Sequence, residues 1–171
     1  MRSTSEQVRS KGSGGAAPAG YEALLRRYAR FARHYEQRFA RYSERSLAMA
    51  MRVMDLDRAR RVVDVACGTG LLARQIRRQW PHISVIGVDV SEAMLDEARR
   101  HLPQVAASDH AGAIAWRVGQ AEALPVESGW ADTVVCTNAF HLVQDPESAL
   151  AEMRRVLQPG GRLVIVDWCR D

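Results

Sequence analysis

A run of apolar residues from Val62 to Ala66 ends in Cys67-Gly68-Thr69-Gly70, and a helix-forming segment opens at once with Leu71-Leu72-Ala73. That order suits a buried strand that enters a tight glycine turn and leaves it as a helix. Gly68 and Gly70 remove side chains where the backbone must approach a ligand closely. The start of the helix then supplies free N–H groups beside the gap.

The rest of the chain after Arg61 repeats the theme. Short apolar runs stand at Val62–Ala66, Ser84–Val88, Ile114–Val118, Thr133–Cys136 and Arg162–Val166. Helical segments are expected between them at Leu71–Gln79, Glu92–His101 and Pro146–Leu157. Ser91 suits the cap of the second, and Asp145 followed by Pro146 the start of the third. Continuous rather than alternating Val/Ile/Leu strands point to a parallel sheet buried on both faces. Strand–helix–strand units give a doubly wound, Rossmann-like α/β fold of five strands, with its ligand crevice at their carboxyl ends. Residues His101–Gly112 read as a loop. A length of 171 residues with 47 % hydrophobic side chains is enough for one such domain. No apolar run approaches the roughly 18 residues of a membrane span.

The N-terminal third differs. Residues 1–20 are rich in Ser, Gly, Ala and Pro and read as a flexible tail. Residues 21–56 are expected to form N-terminal helices, and residues 57–171 the α/β core. Tyr21, Tyr28, Tyr35 and Tyr42 recur every seven residues, flanked by Leu24, Leu25, Phe31, Phe39, Leu47 and Met51, with arginines filling much of the rest. This is a helix with an apolar-aromatic stripe and a basic back, with a break expected near Ser43. The stripe can pack on the domain, or lid a pocket with tyrosine hydroxyls turned inward. Residues 1–61 carry 14 basic and 6 acidic side chains, a net +8; residues 62–171 carry 10 and 14, a net −4. The basic excess reads as a solvated helix face, or as a surface for nucleic acid, acidic lipid or an anionic substrate.

Two acids mark the expected crevice. Asp89 follows nineteen residues after Gly70, at the end of Val85-Ile86-Gly87-Val88. A carboxylate there can accept two hydrogen bonds from the vicinal hydroxyls of a ribose. The segment Gly68-Thr69-Gly70-Leu71-Leu72-Ala73 also satisfies the dinucleotide pattern G-x-G-x-x-A, so the turn by itself fits a nicotinamide cofactor as well. Asp64 separates the two readings. It lies inside the apolar strand, where a carboxylate costs several kcal/mol unless something pairs with it. The ammonium of an amino-acid-bearing cofactor would pair with it; a nicotinamide dinucleotide puts no cation there. The other expectation is a structural partner within the chain.

Four stretches in order carry a family resemblance. Asp64-x-Ala66-Cys67-Gly68-Thr69-Gly70 resembles the first motif of class I S-adenosylmethionine-dependent methyltransferases. Gly87-Val88-Asp89-Val90-Ser91-Glu92-Ala93-Met94-Leu95 resembles their second. Gly119-Gln120-Ala121-Glu122-Ala123-Leu124-Pro125 is similar to their Gly-Asp-Ala-Glu-x-Leu-Pro, and Leu157-Gln158-Pro159-Gly160-Gly161-Arg162-Leu163 to the turn before their fifth strand. The set is most similar to the small-molecule and quinone-biosynthesis C-methyltransferase subgroup, and spans about Tyr21 to Trp168.

The resemblance implies methyl transfer from S-adenosylmethionine to a small organic acceptor, leaving S-adenosylhomocysteine; the alternative is a non-catalytic or partner-dependent methyltransferase-like binding module, and less so a nicotinamide-dependent oxidoreductase. It implies that Asp64 and the turn Ala66, Cys67, Gly68, Thr69 and Gly70 hold the methionine part. Asp89 would take the ribose, Val90 and Met94 would pack on the adenine, and Gln120 and Ala121, with Glu122 beside them, would meet its edge. Asn138, Ala139 and His141 would line the gap toward the acceptor. Tyr28 and Tyr35 match the family's lid helix and would orient the acceptor or cap the cofactor, and His141 is the candidate general base.

Two departures stand out. Gln120 occupies a position where Asp is usual, which implies an uncharged contact to adenine. The sequence also ends at Asp171, where the family continues with a further helix and two strands. Leu163-Val164-Ile165-Val166 would then be an apolar edge, covered by more chain or by a second copy in a homo-oligomer. Three widely spaced cysteines, Cys67, Cys136 and Cys169, argue against a disulfide framework and for a reducing, cytoplasmic setting. His34, His82, His101 and His110 show no metal-ligand spacing, so no metal site is expected. No base-handling motif accompanies the basic helix, which counts against a nucleic-acid substrate.

Overall fold

The computed structural model describes residues 19–102 and 112–167. The expected tail therefore lies outside the described residues up to residue 18, as do most of the His101–Gly112 loop, Trp168 and Cys169. Ala19 and Gly20, expected in the tail, instead open the first helix. That helix, α1, spans Ala19–Phe31, and α2 spans Tyr35–Val53. The break between them is a 3-10 turn at Ala32–His34, not at Ser43, which is buried within α2. Phe31 and His34 relax to ψ values near zero on either side of the turn, and the small, buried Ala32 lets the chain bend inward.

Five strands follow: β1 (Arg61–Val65), β2 (Ser84–Asp89), β3 (Ile114–Val118), β4 (Ala131–Thr137) and β5 (Leu157–Val166). They form one parallel sheet in the order β3-β2-β1-β4-β5. The helices α3 (Leu71–Gln79) and α4 (Glu92–His101) have the expected limits, and α5 (Pro146–Val156) stops one residue short. Asp145 caps α5 as expected, its carboxylate accepting the N–H of Ser148. Ser91 makes no side-chain cap on α4; its backbone N–H is donated to Asp89 Oδ1 at 2.8 Å. β5 begins earlier than Arg162, because Leu157 pairs with Ala131 before the chain bulges through Gln158–Gly161 and rejoins the ladder at Arg162.

Alternation along the strands splits the core into two layers. Val62 packs with Leu47, Leu72, Ile76, Leu95 and Trp116 under α2, α3 and α4. Val63 and Val65 face the other way, toward Met153 and Val156 of α5. Asp64 shares the face of Val62 and so points toward the N-terminal helices. β1 is the middle strand, and the chain leaves it toward β2 and β3 before crossing back to β4. The reversal opens a crevice at the carboxyl ends of β1 and β4, the place where such sheets bind ligands. β5 forms one edge, with Leu163 and Ile165 each 36 % exposed. Among the described residues, no helix is long and apolar enough to cross a membrane.

Candidate functional site

After β1 the backbone takes a left-handed conformation at three of five residues: Ala66 (φ 57°), Gly68 (φ 55°) and Gly70 (φ 75°). Such values cost a side-chain-bearing residue about 1–2 kcal/mol, so this turn is held in place by its surroundings. Cys67 N–H donates to Val88 O and Gly70 N–H to Cys67 O, each at 3.0 Å. Asp89 completes the clamp, its Oδ2 accepting the Gly68 N–H at 2.8 Å.

The two glycines serve different ends. A Cβ at Gly68 would meet nothing within 4 Å, so the backbone there faces open space. A Cβ at Gly70 would come within 2.5 Å of the Trp116 ring and 3.1 Å of Ala98. Gly70 is therefore required by packing. Gly87 lies under the same indole.

A cleft of about 820 Å³, counted with its open side, occupies the crevice. Its floor is Val65 at the end of β1 with Ala66 and Gly68 of the turn after it, and Val88 and Asp89 at the end of β2 with Val90 just beyond. Met94, Ala121 and Glu122 form one wall; Thr137, Asn138 and Ala139 form the other. Leu25, Tyr28 and Tyr35 of the N-terminal helices roof it. The tyrosine ring centroids are 6.0 Å apart, and Tyr35 stacks further on Phe39 at 4.9 Å. Burial raises both phenols, Tyr35 to about 12, so both remain O–H donors at neutral pH.

A smaller chamber adjoins it, sharing Tyr35, Ala66, Gly68, Thr137 and Asn138 and adding Glu36, Asp64, Cys67 and Thr69. Two buried acceptors here lack a hydrogen-bond partner among the described residues: Asp64 Oδ1 and Asn138 Oδ1. Asp64 is 1 % exposed. Burial, then the neighbouring charge of Asp89, raises its carboxyl to about 8. Asn138 sits at φ 58°, its N–H donating to Val166 O at 2.8 Å. Orphaned buried polar groups are costly; burial keeps the Asp64 carboxyl protonated at neutral pH, and a cationic donor placed beside it would favour its charged form.

Asp89 is also raised, by burial first, with N–H donors from Ser91, Gly68 and Val90 pulling it partly back. Its Oδ1 accepts the Ser91 N–H and its Oδ2 the Gly68 N–H, and a carboxylate with about four acceptor sites keeps room for a hydroxyl. Cys67 is pushed well up by burial and by the charges of Asp64 and Asp89, so its thiol stays protonated.

Three expected site residues do not line either space. Gly70 lies under Trp116. Gln120 is exposed and bridges to Ala123 across the turn after β3. His141 is on the surface beyond β4, its Nδ1 2.8 Å from Asp167 Oδ1 and its backbone N–H donating to Asp167 Oδ2 at 2.7 Å. Glu122 reaches the cleft, but its Oε1 accepts the N–H groups of Gln144 and Asp145. Glu36, Trp116 and Asp167 were not foreseen, because each matters through a partner at least 26 residues away.

The fold-wide motif match decides the family. A methyltransferase domain model matches residues 63–165. The chain belongs to the methyltransferase domain family. Over 109 residues it is 41 % identical to a ubiquinone/menaquinone biosynthesis C-methyltransferase of Geobacter sulfurreducens, covering 63 % of this chain and 41 % of that one. Over 103 residues it is 35 % identical to a malonyl-[acyl-carrier protein] O-methyltransferase of Hahella chejuensis, covering 60 % and 34 %. The chain thus spans less than half the length of these relatives. Among solved structures, an S-adenosylmethionine-dependent methyltransferase of Thermotoga maritima superposes with a TM-score of 0.61 at 29 % identity, over 81 % of this chain and 58 % of that one.

The cofactor of such a methyltransferase domain, S-adenosylmethionine, fits the residues present. The buried acceptors Asp64 Oδ1 and Asn138 Oδ1, the carboxylate of Asp89 and the apolar wall around Met94 are groups of the kind that its ammonium, ribose diol and adenine require.

Proposed function

We propose that this chain binds S-adenosylmethionine across the two joined chambers and directs its methyl group to a small organic acceptor. The orphaned Asp64 Oδ1 carries the reading, because a buried carboxyl with no hydrogen-bond partner at that oxygen among the described residues suits a cationic ligand that favours its charged form. Asp64 and Asn138 would accept hydrogen bonds from the ammonium. Asp89 would hold the ribose, and Val90, Met94 and Ala121 would enclose the adenine. Gly68 would let the backbone approach. A nicotinamide dinucleotide would leave Asp64 buried and unpaired, which disfavours that rival reading of the glycine turn.

When bound, the sulfonium supplies an activated methyl group that is transferred by in-line displacement. The chain's own contribution is mainly alignment and exclusion of water, worth up to about 7–11 kcal/mol. Tyr28 and Tyr35, as roof donors, shield the cleft and orient the acceptor. Where the acceptor loses a proton, His141 is the candidate base. Donation of Nδ1–H to Asp167 would fix its ring and put the basic lone pair on Nε2. The exposed edge of β5 would be covered by further chain or by a second copy, and the free thiols of Cys67 and Cys136 suit a reducing, cytoplasmic setting.

Isothermal titration with S-adenosylhomocysteine tests the reading. Binding at micromolar concentration or below is expected of protein first freed of any carried-over nucleoside; no heat at high micromolar concentration overturns it. Light scattering of the same sample reads the oligomeric state.

A further inference from the structure

One carboxylate fastens the roof to the glycine turn. Glu36 is the second residue of α2, next to Tyr35. Its Oε1 accepts the Thr69 hydroxyl at 2.7 Å and Arg74 Nη2 at 2.7 Å, while Arg74 Nη1 donates to Thr69 O at 3.0 Å. Three elements thus close into one ring: the roof helix, the turn between Gly68 and Gly70, and α3. Burial pushes the Glu36 carboxyl up, but the hydrogen bonds from Arg74 and Thr69 outweigh it and hold the group below its usual value. The carboxylate is therefore charged. With Arg74 17 % and Glu36 32 % exposed, the pair is better shielded than a surface ion pair, and its bonds are charge-assisted.

The position of this ring gives it a consequence. Thr69 is flanked by the two left-handed glycines, so it reports any change in the turn. Tyr35, adjoining Glu36, is shared by both chambers. A ligand filling those chambers lies beneath the roof, and any lifting of the roof would part Glu36 from Thr69 and Arg74.

We propose that Glu36 is a positioning residue, a latch with Thr69 and Arg74 that couples closure of the N-terminal roof to occupation of the cofactor cleft. The coupling rests on the cofactor reading above; the latch itself does not. Glu36 is assigned no contact with the cofactor. Its role is to slow exchange by holding Tyr35 over the site.

The test uses the 171-residue chain and its Glu36→Ala, Glu36→Gln and Arg74→Ala variants. In the first arm, hydrogen exchange is followed without ligand. Peptides from residues 25–42 should exchange roughly tenfold faster in Glu36→Ala and Arg74→Ala. Those from β1 and β2 should be unchanged, which shows that the core is folded. Glu36→Gln keeps an acceptor oxygen and should fall between. Unchanged exchange in the roof overturns the latch, whatever binds.

In the second arm, dissociation of S-adenosylhomocysteine is timed by stopped flow. It should quicken about tenfold in Glu36→Ala. The Glu36→Ala/Arg74→Ala double variant should be no faster than either single variant, as expected of one unit. Equal dissociation rates overturn the coupling. So does tighter binding by Glu36→Ala, which would make Arg74 a direct ligand of the cofactor's carboxylate that Glu36 merely occupies. If the wild-type chain binds no S-adenosylhomocysteine, the cofactor reading and the coupling both fall, and the first arm alone decides whether the latch exists.

Discussion

Trp116 of β3 packs against Gly70, so close that a methyl group added to the glycine would sit 2.5 Å from the indole. The indole N–H donates to Leu102 O at 3.1 Å, which keeps the ring from swinging aside. The second glycine of the turn thus belongs to the core, and the first belongs to the cleft.

This division is testable by paired substitution. Gly70→Ala meets both a clash and a left-handed φ, and should cost about 2–4 kcal/mol in urea unfolding. Gly68→Ala meets the φ penalty alone, about 1–2 kcal/mol, yet should weaken S-adenosylhomocysteine binding because the added methyl points into open cleft space. Equal stability losses would show that the indole moves freely and would dismiss the distinction.

Asp64 links stability to pH. Its carboxyl is raised in the fold to about 8 from an ordinary 3.8. Between these values the unfolded chain releases the proton and the folded chain retains it. The ligand-free fold therefore loses stability as pH climbs from about 4 to about 8, and the loss levels off above that. Asp64→Asn should flatten this slope and raise the melting temperature at pH 8, while S-adenosylhomocysteine affinity falls more than about tenfold. Thermal unfolding across that pH range, with and without ligand, checks both halves. A steep slope persisting in the variant would assign the linkage to another group.

Asp89 and Asp64 should fail differently. Asp89→Ala removes an acceptor proposed for the ribose and should cost about 2–3 kcal/mol of affinity for both adenosine and S-adenosylhomocysteine. Asp64→Asn should leave adenosine binding within twofold, because adenosine has no ammonium. Calorimetry with the two ligands separates the roles. An adenosine affinity unmoved by Asp89→Ala refutes the ribose assignment.

His141 lines neither chamber, so its substitution should spare cofactor binding. His141→Ala is expected to keep S-adenosylhomocysteine affinity within twofold of wild type. With an acceptor that must lose a proton, it should slow turnover by about 10²–10⁴-fold. A large affinity loss on calorimetry would instead put the imidazole in the cofactor's own subsite.

What could be read from the chain was local. Periodicity set the limits of α3 and α4, the Asp145-Pro146 pair set the start of α5, and the glycine turn with its two acids located the crevice. What escaped was the set of pairings made at a distance. Nothing near Gly70 announces Trp116, and nothing near Thr69 announces Glu36. Ser91 holds the N-cap position of α4 as expected, but without a side-chain cap hydrogen bond, while its backbone N–H ties back to Asp89. The break expected near Ser43 appears at Ala32–His34, where a small buried residue lets the helix axis turn. Gln120 faces outward because a short bridge to Ala123 turns the chain there, a geometry that residue types alone do not encode.

β1 is flanked by β2 on one side and β4 on the other, and Asp64 sits in the middle of that sandwich with the cleft as its outlet. A molecule that neutralises such an acid would be reluctant to leave during column chromatography. Protein harvested from a living cell should accordingly arrive with nucleoside already aboard, visible as excess absorbance near 260 nm and recoverable by denaturing extraction and mass spectrometry.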